Sequence, residues 1–306
     1  MNKAAFKDIT SIIIRLTVTC LLAGSIMGIT FVLTHDAKER NEQLREERVM
    51  YSILGYDGKK NPVPQTMALH TVYRYVLSNL KDNSQSIGYA IPVSGDKYSF
   101  VELDLSGNFV RQMPLEGDAK KLRNDGERNS AVQTVTGADV ESRYADHFIV
   151  VTDSGVRKAF ILDGKYPGFK TFIRVKMALA ADYSMLGFEV LEHEEDPGLG
   201  AEIEQKWFRG QFEGKSFEQL KSANVVRTPM PDDFKAAVVV DKNSPDYAKA
   251  LETRKAHASD DIYALTGATI SSRSVLNGNQ AMVKKFVYRM EALDKALKSQ
   301  NIKTDF

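Results

Sequence analysis

Apolar residues crowd one stretch near the amino terminus and recur with recognisable periods further on. From Leu16 to Thr34 the chain reads LTVTCLLAGSIMGITFVLT, 19 residues without a charge, and Ile12, Ile13 and Ile14 extend the run across Arg15. At about 1.5 Å per residue the uncharged part spans roughly 28 Å as a helix, close to the thickness of a bilayer core. Arg15 sits near the end of the run, where a long side chain can reach the headgroups. Lys3, Lys7 and Arg15 precede or open the run, whereas His35-Asp36-Ala37-Lys38-Glu39-Arg40 beyond it is mixed in sign. The positive-inside rule then predicts a single-pass anchor in the cell (inner) membrane, its amino terminus cytoplasmic and the bulk of the chain on the extracytoplasmic (periplasmic) side. A cleaved signal peptide is the alternative. Its apolar core is normally shorter and followed by small residues, but Ala23-Gly24-Ser25 lies in the middle of this run.

After the anchor, HDAKERNEQLREERVMYSIL (35–54) is rich in charge and free of Pro and Gly, which predicts a helical stalk. Gly55 to Pro64, with Asp57-Gly58 and two prolines, breaks it. Val101, Leu103 and Leu105 then alternate with Glu102 and Asp104 before Ser106-Gly107-Asn108, the pattern of a half-buried strand entering a hairpin. Ile173, Val175 and Met177 alternate with Arg174 and Lys176, Ala180-Ala181-Asp182-Tyr183 reads as a connection, and Leu186–Val190 as the next strand, antiparallel to the first. Phe286, Val287, Met290, Leu293 and Leu297 recur at helical spacing, the apolar stripe of an amphipathic helix. The class is therefore α+β: one transmembrane helix, then antiparallel sheet with packed helices.

Thr134-Val135-Thr136-Gly137-Ala138-Asp139-Val140-Glu141-Ser142-Arg143 resembles Ala264-Leu265-Thr266-Gly267-Ala268-Thr269-Ile270-Ser271-Ser272-Arg273, with Thr-Gly-Ala and Ser-Arg at matching offsets. Strand-like segments precede both copies, so internal duplication and chance similarity stand as the two readings. The predicted divisions are 1–34 (tip and anchor), 35–55 (stalk), 56–145 (a degenerate repeat) and 146–306 (the main domain with its carboxyl-terminal helix).

Composition narrows the chemistry. With 41 basic and 40 acidic residues, the formal net charge is +1, which gives no basic excess for nucleic-acid binding. One cysteine, Cys20, lies inside the apolar run, and five histidines are scattered, so no thiolate cage or metal-ligand spacing is expected. Gly210-Gln211-Phe212-Glu213-Gly214-Lys215-Ser216 has three residues between its glycines where a phosphate-binding loop needs four, and reads as a turn. Gly198-Leu199-Gly200 lacks the third glycine of a dinucleotide fingerprint, since Ile203 stands there. Glu192, Glu194, Glu195 and Asp196 surround His193, but neighbours in an extended segment point to opposite faces, so adjacency makes no metal site. The strongest segment is Thr266-Gly267-Ala268-Thr269-Ile270-Ser271-Ser272 ahead of a helix. Its hydroxyls can cap the helix. The same free N–H groups and dipole can hold a phosphate, and the Thr269 hydroxyl could carry a phosphoester.

Thr266-Gly267-Ala268-Thr269 resembles the Ser/Thr-Gly-Ala-Thr motif of covalently flavinylated FMN-binding domains. Leu191-Glu192-His193-Glu194-Glu195-Asp196-Pro197-Gly198-Leu199-Gly200 is similar to the His-x-Glu-Thr-Pro-Gly-Leu-Gly segment of the same domains, and Trp207 with Phe212-Glu213-Gly214-Lys215 resembles their downstream positions. Such domains occur in the G subunit of the Rnf ferredoxin:NAD oxidoreductase and the C subunit of the sodium-pumping NADH:quinone reductase, and the G subunit fits slightly better. The resemblance covers the anchor and roughly residues 150–295. It implies one covalent FMN per chain, its phosphate joined to Thr269 by a separate flavin transferase that uses FAD. Thr266, Gly267 and Ala268 would shape the recognition loop with Ile270 beside them, and Ser271 and Ser272 would donate hydrogen bonds near the phosphate. Glu195, Asp196, Pro197, Gly198 and Leu199 would lie against the flavin.

Several positions depart from the family pattern. Asp196 replaces its usual Thr, Tyr263 stands where Asp is usual, Ser271 replaces a common Thr, and residues 56–145 exceed the usual length. Asp139 in the first repeat lacks the hydroxyl that the motif uses as acceptor, which implies one flavin rather than two. The implied function is an electron-transfer subunit, not a catalyst by itself, that works with other membrane and peripheral subunits of an Rnf-type complex and with membrane lipid. A stand-alone flavoprotein serving an extracytoplasmic acceptor and a cofactor-free anchored binding module are the alternatives.

Overall fold

The computed structural model describes residues 3–56, 60–241 and 244–306. The chain divides into two compact units, Met1–Val49 and Met50–Phe306. Helix α1 (Lys3–Ile53) takes in both the predicted anchor and the predicted stalk. Its stretch Ile12–His35 is long and apolar enough to cross a membrane, with mean hydropathy 2.1 and none of it buried. The hydroxyls of Thr19, Thr30 and Thr34 donate to the carbonyls of Arg15, Ile26 and Thr30, at 2.7, 2.8 and 2.7 Å. Those bonds give each hydroxyl a partner without water. The predicted break at Asp57-Gly58 lies outside the described residues.

The second unit is built on one antiparallel sheet of eight strands. These are β1 (Met67–Asn79), β2 (Gln85–Val93), β3 (Lys97–Asp104), β4 (Phe109–Asp118), β5 (Val140–Asp153), β6 (Val156–Pro167), β7 (Phe172–Ala180) and β8 (Met185–Glu192). Their order is β4-β3-β2-β1-β5-β6-β7-β8, two four-stranded meanders joined side by side through β1 and β5. Helices α2 (Ala119–Arg123) and α3 (Asp125–Thr136) connect the meanders. After β8 come the short helices α4 (Lys206–Arg209) and α5 (Phe217–Ser222), strand β9 (Val225–Val226), α6 (Asp232–Val238), α7 (Tyr247–Ala256), strand β10 (Ile262–Tyr263) and the long α8 (Thr269–Ser299).

The hairpin predicted at Ser106–Asn108 joins β3 to β4, and the connection at Ala180–Tyr183 joins β7 to β8. The stripe Phe286, Val287, Met290, Leu293 and Leu297 is buried against the sheet in the main core. The strand around Val101 is buried on both faces, where alternation predicted one. Val101 and Leu103 face the α8 core, while Phe100 and Tyr98 face a second core that includes Leu122 of α2 and Val132 of α3. Glu102 is tolerated there because its carboxylate accepts from Ser86 Oγ at 2.5 Å and Arg111 Nε at 2.6 Å.

The two Thr-Gly-Ala copies occupy different places. Thr136 ends α3 and Gly137 (φ +89°) is its carboxyl cap, whereas Gly267 (φ +75°) precedes the start of α8. Asp139 pairs with Lys81 at 2.6 Å on the surface. The division placed at 145/146 falls inside β5. What the two halves share is the four-stranded meander, not the position of the motif.

Candidate functional site

The segment after β8 and the first turn of α8 meet at a cleft of about 370 Å³. Of the residues singled out in the sequence, Glu195, Asp196, Leu199, Gly267, Ala268, Thr269, Ile270 and Ser271 line it. Thr266, Pro197, Gly198 and Ser272 do not. Phe169, Gly200 and Arg227 line it as well, and no sequence pattern pointed to Phe169 or Arg227.

Glu195 is the tie that closes this arrangement. It is only 5% exposed. Its Oε1 accepts from the backbone N–H of Phe169 at 2.7 Å and of Lys170 at 3.3 Å, and its Oε2 accepts a short hydrogen bond from Ser271 Oγ. One carboxylate thus links the β6–β7 turn, the loop after β8 and the first turn of α8. Space for it comes from two glycines. A Cβ at Gly200 would stand 2.7 Å from both Glu195 Oε2 and Ser271 Oγ, and one at Gly168 would collide with Oε1. Asp196 forms an ion pair with Lys170 Nζ at 2.5 Å, which offsets its charge at the cleft.

The loop before α8 is fixed from inside. Gly267 adopts φ +75°, and a Cβ there would press on Leu199 at 3.0 Å. Ser272 is fully buried; its hydroxyl accepts from Leu265 N and donates to Ala268 O, both at 3.0 Å. The family resemblance implied that Ser271 and Ser272 donate toward a phosphate. Both hydroxyl protons are committed within the protein, so these serines shape the loop. No side chain caps the first turn of α8, which leaves its N–H groups without the usual partner, and Thr269 is its first residue.

Strand β9 pairs in parallel with β10, Val226 O accepts from Ala264 N at 2.8 Å, and Arg227 follows directly. This brings its guanidinium to the cleft, exposed and without an ion-pair partner among the described residues. Further back along the loop, Tyr263 pairs through its backbone with the Gln211 side chain, and its hydroxyl donates to Asp260 Oδ2 at 3.0 Å. Lys215 of the loop-like Gly210–Ser216 segment is 2% exposed and donates to the carbonyls of Ala258 and Asp260 at 2.7 and 2.6 Å. Burial pulls its pKa down. That segment is a turn bracing the loop, as its glycine spacing predicts, and no phosphate cradle.

A cleft of this size is within the range of cofactor sites. It offers a half-buried hydroxyl at an uncapped helix start, an unpaired arginine and apolar walls from Phe169, Leu199 and Ile270. That set suits a phosphate carrying a flat, partly apolar group. Comparison with known proteins agrees: residues 168–284 match the FMN-binding domain family. The chain is similar to the G subunit of the proton-translocating ferredoxin:NAD(+) oxidoreductase complex of Clostridium ljungdahlii, 28% identical over 42% of this chain and 52% of that one. It is also similar to the C subunit of the Na(+)-translocating NADH-quinone reductase of Pasteurella multocida, 24% identical over 90% of this chain and 89% of that one. The G subunit of the ion-translocating oxidoreductase complex of Cereibacter sphaeroides is 36% identical over 30% of this chain and 42% of its own length. The match to the Clostridium ljungdahlii protein thus spans about half of that protein's length. Among solved structures, NqrC of Shewanella oneidensis aligns over 77% of this chain and 90% of its own at 15% identity, with a TM-score of 0.39.

Proposed function

We propose that this chain is a membrane-anchored flavoprotein subunit that carries one covalent FMN and relays electrons within an ion-translocating oxidoreductase complex. The observation that carries the reading is the convergence at one cleft of the Thr269 hydroxyl, the uncapped first turn of α8 and the unpaired Arg227. Thr269 Oγ1 is the acceptor of the FMN phosphoryl group, transferred from FAD by a separate flavin transferase. The first-turn N–H groups and Arg227 face the single negative charge of the resulting phosphodiester. Phe169, Leu199 and Ile270 supply apolar surface, and the Asp196–Lys170 pair sets the local charge. When bound, the flavin accepts and releases electrons, and the protein fixes its position and surroundings. The relatives in ion-translocating complexes support partner subunits on the membrane. Lys3, Lys7 and Arg15 before the apolar stretch support a cytoplasmic amino terminus and a flavin on the other side. Covalent attachment suits that side, where a dissociated cofactor is not replaced.

The test is to produce the full chain in a host that makes the flavin transferase, denature it, and look for flavin fluorescence in the gel band. Wild type is expected to fluoresce and Thr269→Ala to be dark. A dark wild-type band, or fluorescence retained in the alanine variant, overturns the acceptor assignment. Purification without co-purifying subunits would instead indicate a stand-alone carrier.

A further inference from the structure

A second cleft, of about 350 Å³, opens between α8 and the sheet around the junction of the two meanders. It shares no lining residue with the cleft at Thr269. Three side chains on adjacent strands form a row on its floor. Tyr89 of β2 lies opposite Arg74 of β1, and Arg74 lies opposite Asp146 of β5. The pairing of β1 with β5 shifts register there, which leaves Ala145 as the extra residue of a bulge that also lines the cleft. Bulges of this kind re-aim side chains and are common beside sites.

The polar groups of this row are unequally satisfied. Arg74 is 8% exposed and bidentate to Asp146, through Nε at 2.8 Å and a terminal nitrogen at 2.5 Å. Tyr89 is only 3% exposed, and its hydroxyl makes no hydrogen bond to the described residues; the oxygen is not enclosed but opens to the cleft, where water or a ligand can reach it. Burial pushes its pKa up to about 12, against the pull of Arg74 and Arg289, so it remains a proton donor. On the α8 side, Arg289 touches Asp146 at 3.4 Å, and Lys285 one turn earlier has no ion-pair partner among the described residues. The other carboxylate, Asp163, is taken by Lys176 at 2.5 Å and lies 3.5 Å from His147. With Arg74 on Asp146 and Lys176 on Asp163, the remaining cations at the cleft are Lys165, Lys285 and Arg289, the last also reaching Asp146 at 3.4 Å; the Tyr89 hydroxyl opens at the floor, and Phe148, Leu162 and Phe286 form apolar walls.

We propose that this cleft binds a small organic oxyanion, a carboxylate or phosphate on an apolar ring or chain, with its charge at Lys285 and Arg289 and a hydrogen bond from Tyr89. The apolar walls make a bare inorganic ion a poorer fit than an organic one.

The test titrates phenyl phosphate, benzoate and inorganic phosphate into the full chain in neutral detergent, read by saturation-transfer NMR for the two aromatic probes and by calorimetry for all three, with protein-free micelles as the blank. At least one aromatic probe is expected to bind saturably and more tightly than inorganic phosphate. Which one binds tells phosphate from carboxylate. Tyr89→Phe, which keeps the ring, is expected to weaken it about threefold to tenfold. The double substitution Lys285→Gln and Arg289→Gln is expected to weaken it at least about tenfold. Covalent flavin in the gel band is expected to be unchanged in both variants. The proposal falls if neither aromatic probe saturates, if inorganic phosphate binds as tightly as both, or if both variants, shown folded by their thermal melts, bind like wild type.

Discussion

Glu195 shows how one side chain can hold a site together without being its chemistry. It receives two backbone N–H bonds and one serine hydroxyl, all from segments distant in sequence. Removing it leaves Ser271 Oγ, which is buried, without an acceptor, at about 1–3 kcal/mol, and also frees the part-buried N–H groups of Phe169 and Lys170. Glu195→Ala is expected to lower unfolding free energy by at least about 2 kcal/mol in urea titrations, and to reduce the fraction of chains carrying flavin. Glu195→Gln keeps an acceptor and is expected to fall between the two. Gly200→Ala should resemble Glu195→Ala, because the added methyl would stand 2.7 Å from the same carboxylate and from Ser271. A Glu195→Ala protein with wild-type stability and full flavin content would remove the tie from the account.

At the scale of elements, α8 decides how the domain closes. Its first residue is Thr269, its apolar stripe is buried against the sheet, and its backbone comes close to β6 at two notches. A Cβ at Gly278 would fall within the Tyr166 ring, and one at Gly164 of β6 would fall on the Met282 side chain. Tyr166 also donates to Asn279 Oδ1 at 3.2 Å, fixing the ring beside the helix. Alanine is a better helix former than glycine by about 1 kcal/mol. Overpacking of a tight contact costs about 1–3 kcal/mol, and here the ring is 6% exposed and hemmed in. Gly278→Ala is therefore expected to lower the melting temperature despite its propensity gain. Asn277→Ala, at the exposed neighbouring position, should leave it unchanged or slightly raised. Equal melting temperatures for the two variants would mean that the notch is not needed.

For the whole molecule, the division at Val49/Met50 has a practical consequence. Met50 and Ile53 are each 5% exposed within the second unit, and Ile53 lies against Gly187 of β8. A fragment of residues 50–306 is expected to be soluble without detergent and to melt cooperatively. A fragment of 60–306 loses both side chains, worth at most about 1.5–3 kcal/mol apiece, and should melt at lower temperature. The full chain, with its stretch Ile12–His35, should stay with membranes through a high-salt wash. Release by salt alone would contradict the anchor reading.

Sequence alone determined what depends on a few neighbouring residues. The length of the apolar run, the helical stripe from Phe286 to Leu297, the turns at Ser106–Asn108 and Ala180–Tyr183, and the motif around Thr269 could all be read there. Each is set by local spacing that the backbone converts directly into a helix, strand or turn. Tertiary structure decided what depends on meeting. Val101 and Phe100 are both buried because a second layer of helices covers the far face of the sheet. Phe169 reaches the cleft because Glu195 grips its backbone, and Arg227 because a two-residue strand, too short to show any period, pairs with β10. Ser271 and Ser272, which the motif suggested for a ligand, spend their protons on Glu195 and Ala268. The row from Tyr89 through Arg74 to Asp146 exists only in the register of three strands. A hydrogen bond or ion pair between distant residues carries no spacing along the chain, so only the folded arrangement could show which groups are satisfied and which are left to bind something else.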